Sequence, residues 1–182
     1  MPVLAVIAFL VFITDPGPVF FGHERVGHLG KRFKCYKFRS MVLDAEARLA
    51  HILEKDPAAR AAWARDHKLV NDPRITPIGV FLRKSSLDEL PQLWNVLCGQ
   101  MSVVGPRPIV LAEVPRYGRY INNYFSVKPG VTGLWQISGR SETTYRRRIA
   151  LDVAFVRLRS FKLYARILVF TIPAVLLRRG SY

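Results

Sequence analysis

The chain opens on Met1–Thr14 (MPVLAVIAFLVFIT), a run with no charged residue, and leaves it through Asp15-Pro16-Gly17-Pro18. A membrane-crossing helix needs roughly 20 consecutive apolar residues, so the run is too short to span. A secretory signal would carry basic residues ahead of the run and small residues at a cleavage site behind it, and neither is present. Two readings remain: a buried core strand or helix, or a segment that dips into a membrane and returns. The adjoining charge favours the second. Arg25, Lys31, Arg32, Lys34, Lys37 and Arg39 stand against the single acid Glu24 in the stretch from Glu24 to Arg39. Basic residues flanking an apolar segment stay on the cytoplasmic side and meet anionic headgroups there.

The whole chain shares this bias. The 182 residues hold 28 Lys+Arg and 13 Asp+Glu, a net +15, while 50% are hydrophobic. High charge with high hydrophobicity excludes intrinsic disorder. Cys35 and Cys98 are too few for a disulfide scaffold and suit a reducing compartment. The length fits one domain, residues 1–182, with a core of its own. Its positive charge attracts polyanions: nucleic acid, an anionic membrane or a phosphorylated substrate. Tyr145–Leu177 reads as helix, with Arg146, Arg147, Arg148, Arg157, Arg159, Lys162 and Arg166 among Ile149, Val153, Val156, Phe161, Leu163, Ile167 and Leu168. That is the composition of a basic amphipathic helix in the headgroup plane, or of a core helix with a solvated basic face. Two such segments in one small chain tilt the choice towards a membrane surface.

Between the ends, Val19–Phe21 and Phe33–Arg39 predict the strands of a hairpin, with Gly27 to Gly30 supplying its turn. Helices are expected over Met41–Glu54 and from Asp56-Pro57, an N-cap followed by proline, to Lys68. Ser86 and Glu89 have capping-box spacing, but Pro91 is better accommodated by a helix that starts at Glu89 with Asp88 as N-cap. Either way Asp88 and Glu89 are adjacent carboxylates at a positive helix end. They are a cap and a dipole partner, or a reactive pair. Arg107 lies between Pro106 and Pro108, while Lys128 and Arg140 sit on glycine-containing turns. Guanidiniums on stiff loops suit bidentate phosphate contact. With a carboxylate pair they point to a polyphosphate site using Mg²⁺, which takes one or two carboxylates plus substrate phosphates. His23, His28, His51 and His67 lack zinc-type spacing, and no P-loop, GxSxG or dinucleotide fingerprint occurs. No nucleic-acid-binding signature appears either, which leaves nucleic acid the weakest of the three partners.

These motifs in order resemble the bacterial sugar transferase family, the monotopic phosphoglycosyl transferases. The matching stretches are Asp15–Phe21, Tyr36–Met41, Asp72–Thr76, Ser86–Asn95, Val104–Pro108 and Lys128–Arg140, with Ile109–Tyr117 and the C-terminus most like the undecaprenyl-phosphate galactose or glucose branch. The resemblance implies an α+β, mainly helical, membrane-associated domain around a small β-hairpin, on the cytoplasmic face of the bacterial inner membrane. It implies transfer of a hexose-1-phosphate from a UDP-sugar to undecaprenyl phosphate, opening exopolysaccharide or O-antigen synthesis. Asp88 would be the nucleophile and Glu89 its Mg²⁺-binding partner. Arg83, Arg107 and Arg140 would be the first phosphate and uridine contacts, with Lys37, Arg39 and Lys128 second. Anionic lipid would be a partner and nucleic acid would not. Family members usually carry a longer N-terminal helix broken by a proline. Pro2 matches that proline, so the expectation is a re-entrant helix truncated to residues 1–14, with interfacial helices over residues 145–177. The rival readings are a non-catalytic basic protein that binds membrane or nucleic acid through charge, and an inactive truncated transferase.

Overall fold

The computed structural model describes residues 2–66, 69, 71–139 and 144–176. It is a mixed helix-and-sheet structure, mostly helical. Helix α1 (Pro2–Thr14) buries Ile7 and Val11 against Phe38 and Leu82, and leaves Val3, Val6, Phe9, Phe12 and Ile13 exposed. No described helix is long and apolar enough to cross a membrane.

The expected hairpin is present, with a longer first arm and the second shifted by one residue. Strands β1 (Phe20–Val26) and β2 (Arg32–Phe38) pair antiparallel in the register Phe20↔Phe38 to Val26↔Arg32. Their connection needs two positive φ angles, 56° at Leu29 and 71° at Gly30. Side chains alternate across a strand. The register therefore sets Phe21, His23 and Arg25 on the same face as Lys37, Cys35 and Phe33. Helices α2 (Ala45–Lys55) and α3 (Pro57–Asp66) form an outlying pair. Asp56 caps α3 by accepting from the Ala58 and Ala59 N–H groups at 2.8 and 3.0 Å. The earlier helix begins four residues later than expected, because Met41 bridges to Ile75 instead. The expected end at Lys68 lies outside the described residues.

Helix α4 (Pro77–Ser85) is capped by Thr76, whose hydroxyl accepts from the Gly79 N–H at 3.0 Å. It docks backbone to backbone: a Cβ at Gly79 would fall 2.0 Å from the Ser40 carbonyl oxygen. Ser86 ends α4 at φ 57°, and a 3₁₀ turn over Leu87–Glu89 leads to α5 (Gln92–Leu97). The helix expected at Glu89 thus starts at Gln92, and Asp88 makes no side-chain cap. Pro91 has no N–H to give a preceding turn, so the regular helix forms only after it.

Strand β3 (Ser102–Val104) pairs in parallel with β4 (Gly130–Thr132), a sheet that the sequence did not announce. The glycines of the Val104–Pro108 and Lys128–Gly133 motifs let these two backbones touch: a Cβ on Gly130 would meet the Gly105 nitrogen at 2.0 Å. Between the strands run the short helices α6 (Val114–Tyr117) and α7 (Ile121–Phe125). After them come α8 (Leu134–Ile137), α9 (Tyr145–Leu158) and α10 (Phe161–Leu176). The single helix expected over Tyr145–Leu177 is therefore two, broken where Arg159 turns to ψ 124° and Ser160 Oγ accepts from the Leu163 N–H at 3.2 Å. Leu177 lies outside the described residues. Helix α9 is a core helix with a solvated basic face, because its stripe of Ile149, Asp152, Val153 and Phe155 is buried. Helix α10 buries Ile167 and exposes Leu168, Val169, Phe170 and Ile172.

Several side chains join the hairpin to the rest, and one of them does so through two hydrogen bonds to the β2 backbone. Asn95, fully buried on α5, accepts from the Tyr36 N–H at 3.0 Å and donates to the Lys34 carbonyl at 2.8 Å and to Gln100 Oε1 at 2.7 Å. Asn95→Leu keeps the branched outline in a larger side chain and strips these partners, so it is expected to cost on the order of 2–4 kcal/mol in a denaturant-unfolding measurement. A loss within experimental error of zero would show that the hairpin is held by its other contacts, among them the hydrogen bonds of Val26 with Ile109 and Tyr124.

Candidate active site

The end of β2 brings Lys37 over the 3₁₀ turn between α4 and α5. Its Nζ lies 2.7 Å from Glu89 Oε1 and 3.7 Å from Asp88 Oδ2. Asp88 is the deeper carboxylate, with 11% of its side chain exposed against 29% for Glu89 and 27% for Lys37. Burial pushes the Asp88 carboxyl above its ordinary value; Lys37 pulls it back, Glu89 adds to the rise and Arg83 opposes it. Arg83 belongs to the last turn of α4, where its Nε donates to Ser40 Oγ at 2.9 Å. Four expected site residues, Lys37, Arg83, Asp88 and Glu89, are thus brought together by three segments of the chain.

The other expected residues lie elsewhere. Arg39 is buried, and its Nη2 donates to the Asp15 carbonyl and lies 3.6 Å from Asp15 Oδ2. It ties the turn after α1 to the end of β2. Lys128 lines a cavity of about 270 Å³ with Gly27, His28, Lys31, Arg32, Phe33, Gly99 and Gln100, apart from the carboxylate pair. Arg107 stacks on Trp135, its guanidinium carbon 5.3 Å from the ring centroid. Arg140 lies outside the described residues.

Around Arg107 is a cluster that sequence reasoning missed. Arg148 lies over the same Trp135 ring at 5.2 Å and over Tyr145 at 5.1 Å, and its Nη1 donates to Glu113 Oε1 at 3.3 Å. Asp152, one turn further along α9, accepts from the Tyr117 hydroxyl at 2.7 Å. Burial pushes the Asp152 carboxyl up to about 6, against the pull of that hydroxyl and of Arg148 and Arg107. The i, i+4 spacing of Arg148 and Asp152 was the available signal. It was hidden because Arg148 sits in a run of arginines that reads as a lipid-facing surface.

No group of three His, Cys, Asp or Glu side chains among the described residues could hold a metal ion. A cation here would rest on Asp88 and Glu89 and complete its shell from a ligand. That suits Mg²⁺, which is commonly bound through one or two carboxylates and substrate phosphates.

Paired carboxylates set against lysine and arginine make this a site suited to phosphate-bearing ligands. The chain belongs to the bacterial sugar transferase family, whose model matches residues 1–178. It is 52% identical over 182 residues to the UDP-galactose-lipid carrier transferase of Erwinia amylovora, covering all of this chain and 38% of that one. It is 52% identical over 168 residues to the undecaprenyl-phosphate galactose phosphotransferase of Salmonella typhimurium, covering 92% of this chain and 35% of the relative. To the exopolysaccharide production protein ExoY of Rhizobium meliloti it is 47% identical over 183 residues, covering all of this chain and 80% of that one. The chain therefore spans little more than a third of the first two relatives and most of the third.

The environment of Asp88 sets a stability test. Its folded-state carboxyl titrates above the unfolded value, so the folded state binds more protons between the two and its stability falls as pH rises through that window. Asp88→Asn removes the titration. It is expected to raise Tm at neutral pH, with the gain shrinking as pH drops into the ordinary aspartate range.

Proposed function

We propose that the chain transfers a hexose-1-phosphate from a UDP-sugar of the galactose or glucose type to undecaprenyl phosphate, with Asp88 as nucleophile. The observation that carries this reading is the half-shielded Asp88–Glu89 pair, spanned by Lys37 and flanked by Arg83. An Asp88 oxygen attacks the sugar-bearing phosphorus of the donor. The bond from that phosphorus to the oxygen bridging to the second phosphate breaks, and UMP departs with the electron pair. A phosphate oxygen of undecaprenyl phosphate then attacks the same phosphorus. The aspartyl–phosphorus bond breaks, the carboxylate is restored and the lipid carries the phosphosugar as a diphosphate. Splitting one displacement into two is the usual gain from a covalent nucleophile.

Each neighbour has a part. Lys37 draws Glu89 to 2.7 Å and favours the ionised form of Asp88, the form that attacks. Arg83 adds positive charge where the transferring phosphoryl group accumulates negative charge. Mg²⁺, held by Asp88 and Glu89 together with the donor's phosphates, would neutralise charge on that group.

The lipid acceptor sets the chain at a membrane surface, with the site on the cytoplasmic face. Support comes from apolar side chains left exposed on α1, at Phe81 on α4, at Leu93, Trp94 and Leu97 on α5, and along α10. Helices α4 and α5 flank Asp88, so their exposed apolar residues bring the lipid interface to the nucleophile. The net +15 suits anionic headgroups.

Membranes carrying the full chain, given radiolabelled UDP-galactose and undecaprenyl phosphate, are expected to form labelled lipid. Asp88→Asn should lower that rate by about a thousandfold or more, the scale of losing a covalent nucleophile. Unchanged product in the variant would refute the assignment. Chelation of divalent cations is expected to stop transfer, and added Mg²⁺ to restore it. Transfer undiminished in excess chelator would exclude the metal.

A further inference from the structure

Arg83 feels two carboxylates yet forms an ion pair with neither among the described residues. Burial disfavours its charge; Asp88 and then Asp72 favour it, and Arg74 opposes it. Asp72 is engaged elsewhere. Its Oδ1 accepts from Arg74 Nε at 2.8 Å and from the Arg74 N–H at 3.1 Å, and its Oδ2 accepts from Arg74 Nη2 at 2.6 Å. Both side chains are 8% exposed, and the Arg74 guanidinium carbon lies 4.9 Å from the centroid of the Trp63 ring. The fold has neutralised Asp72 for itself.

Asp88 is less firmly held. Lys37 Nζ lies 3.7 Å from Asp88 Oδ2 while it is drawn to Glu89 at 2.7 Å. An arginine in the last turn of α4 has a long, flexible stem, and closing onto this carboxylate would give it a charge-assisted pair. One hydroxyl opposes that closure. Arg83 Nε donates to Ser40 Oγ at 2.9 Å, the one hydrogen bond of its side chain among the described residues.

Ser40 is buried and cannot follow the arginine if it swings. Its carbonyl accepts from the Thr76 N–H at 3.1 Å, and Gly79 lies against the same carbonyl. On one side Arg39 donates its N–H to the Val19 carbonyl at 2.8 Å, and on the other Met41 bridges to Ile75. The hydroxyl thus hangs from a backbone fixed before and after it.

Holding Nε fixes the plane of the guanidinium and leaves its Nη edge for a ligand. Closure onto Asp88 would do the reverse. It would occupy lone pairs that attack phosphorus and neutralise the arginine before a phosphate arrives. We propose that Ser40 is a positioning residue whose hydroxyl holds Arg83 near Asp88 but out of contact with it. The nucleophile stays open, and the guanidinium stays available to the transferring phosphoryl group. Charge set in place beforehand is worth more to a transition state than charge that must first be freed from a competing pair. This rests on the transferase reading above and adds to it Ser40, which acts through Arg83 and not on the substrate.

The test uses the full chain in phospholipid nanodiscs, with steady-state transfer from UDP-galactose to undecaprenyl phosphate. Ser40→Ala is expected to lower kcat by roughly ten- to hundredfold, the scale of a small misplacement of a reacting group. KM for UDP-galactose should stay within about threefold, since the lost interaction belongs to the transition state. Ser40→Cys, with a poorer acceptor, should follow the same pattern. Arg83→Met keeps an apolar stem and has no nitrogen, so adding Ser40→Ala to it should cost no more than about twofold further. In protein labelled with ¹⁵N at arginine, the Arg83 Nε–H signal is identified by its absence from Arg83→Met. Its exchange with solvent should quicken by about tenfold or more in Ser40→Ala, the range of a lost hydrogen bond, with Tm kept within a few degrees.

Equal losses from Ser40→Ala in both backgrounds, or a loss carried by KM alone, overturn the positioning role. So does an Arg83 Nε–H whose exchange ignores Ser40. If wild type transfers no sugar while that exchange still depends on Ser40, the transferase reading fails and the hold of Ser40 on Arg83 stands. If wild type transfers and Ser40→Ala is as fast, the positioning role alone fails.

Discussion

The site depends on one side-chain amide. Asn95 takes the Tyr36 N–H and the Lys34 carbonyl on the open edge of β2, so a two-stranded hairpin gains the third neighbour it needs. Because Asn95 sits on α5, the same contact fixes the strand against the turn that carries Asp88 and Glu89. Lys37 follows Tyr36 directly and is thereby delivered to that turn, where it pairs with Glu89 at 2.7 Å. The backbone docking of Gly79 on Ser40 closes the opposite side, bringing α4 and Arg83 to the end of the same strand. The charges at the centre are therefore held by uncharged hydrogen bonds and close backbone packing around them. Such a frame keeps its shape when the ion pairs at its centre are exchanged for ligand contacts.

That frame explains a cost the chain carries. Asp88 is buried beside another carboxylate, and burial and Glu89 both resist its ionisation; Lys37, Arg83 and a backbone hydrogen bond work against them. A cap at a solvent-exposed helix start would be easier to maintain, and the turn could have been built that way. The chain instead ends α4 in a left-handed Ser86 and delays α5 until after Pro91. This leaves both carboxylates on a short 3₁₀ turn where neither is consumed by a helix end. Local strain and desolvation concentrated at one turn of an otherwise well-satisfied fold mark a position shaped by chemistry more than by stability.

The hairpin, the helix opened by Asp56-Pro57 and the carboxylate pair were legible in the sequence because each is a local signal: strand-forming runs, a cap with proline, adjacent acids. The parallel pairing of β3 with β4 was not. Its strands are three residues each and lie far apart in the chain, and their glycines read as turns when in fact they allow backbone contact. The break at Arg159-Ser160 was missed because the apolar and basic residues on either side keep helical spacing through it. Arg39 and Lys128 were drawn into the expected site by their motifs. Position in a motif does not fix where a long side chain points, and Arg39 turns to Asp15. Conversely Arg148 read as one of a basic run because α9 mixes charge with apolar residues, and only packing shows which of its faces is covered.

A net charge of +15 gives no hint of which cations matter, since most are solvated. Counter-ions sort the rest. The acids buried with Arg39, Arg74 and Arg148 neutralise charge that the fold itself needs. Lys37 is paired, but its partners are the carboxylates that a phosphate-bearing ligand and its cation would approach. Arg83 forms no ion pair among the described residues; burial and Arg74 oppose its charge, yet Asp88 and Asp72 favour it. It therefore belongs with Lys37 and not with the arginines that the fold neutralises for itself: both cations face the Asp88–Glu89 turn, where the proposed donor would bring its phosphates.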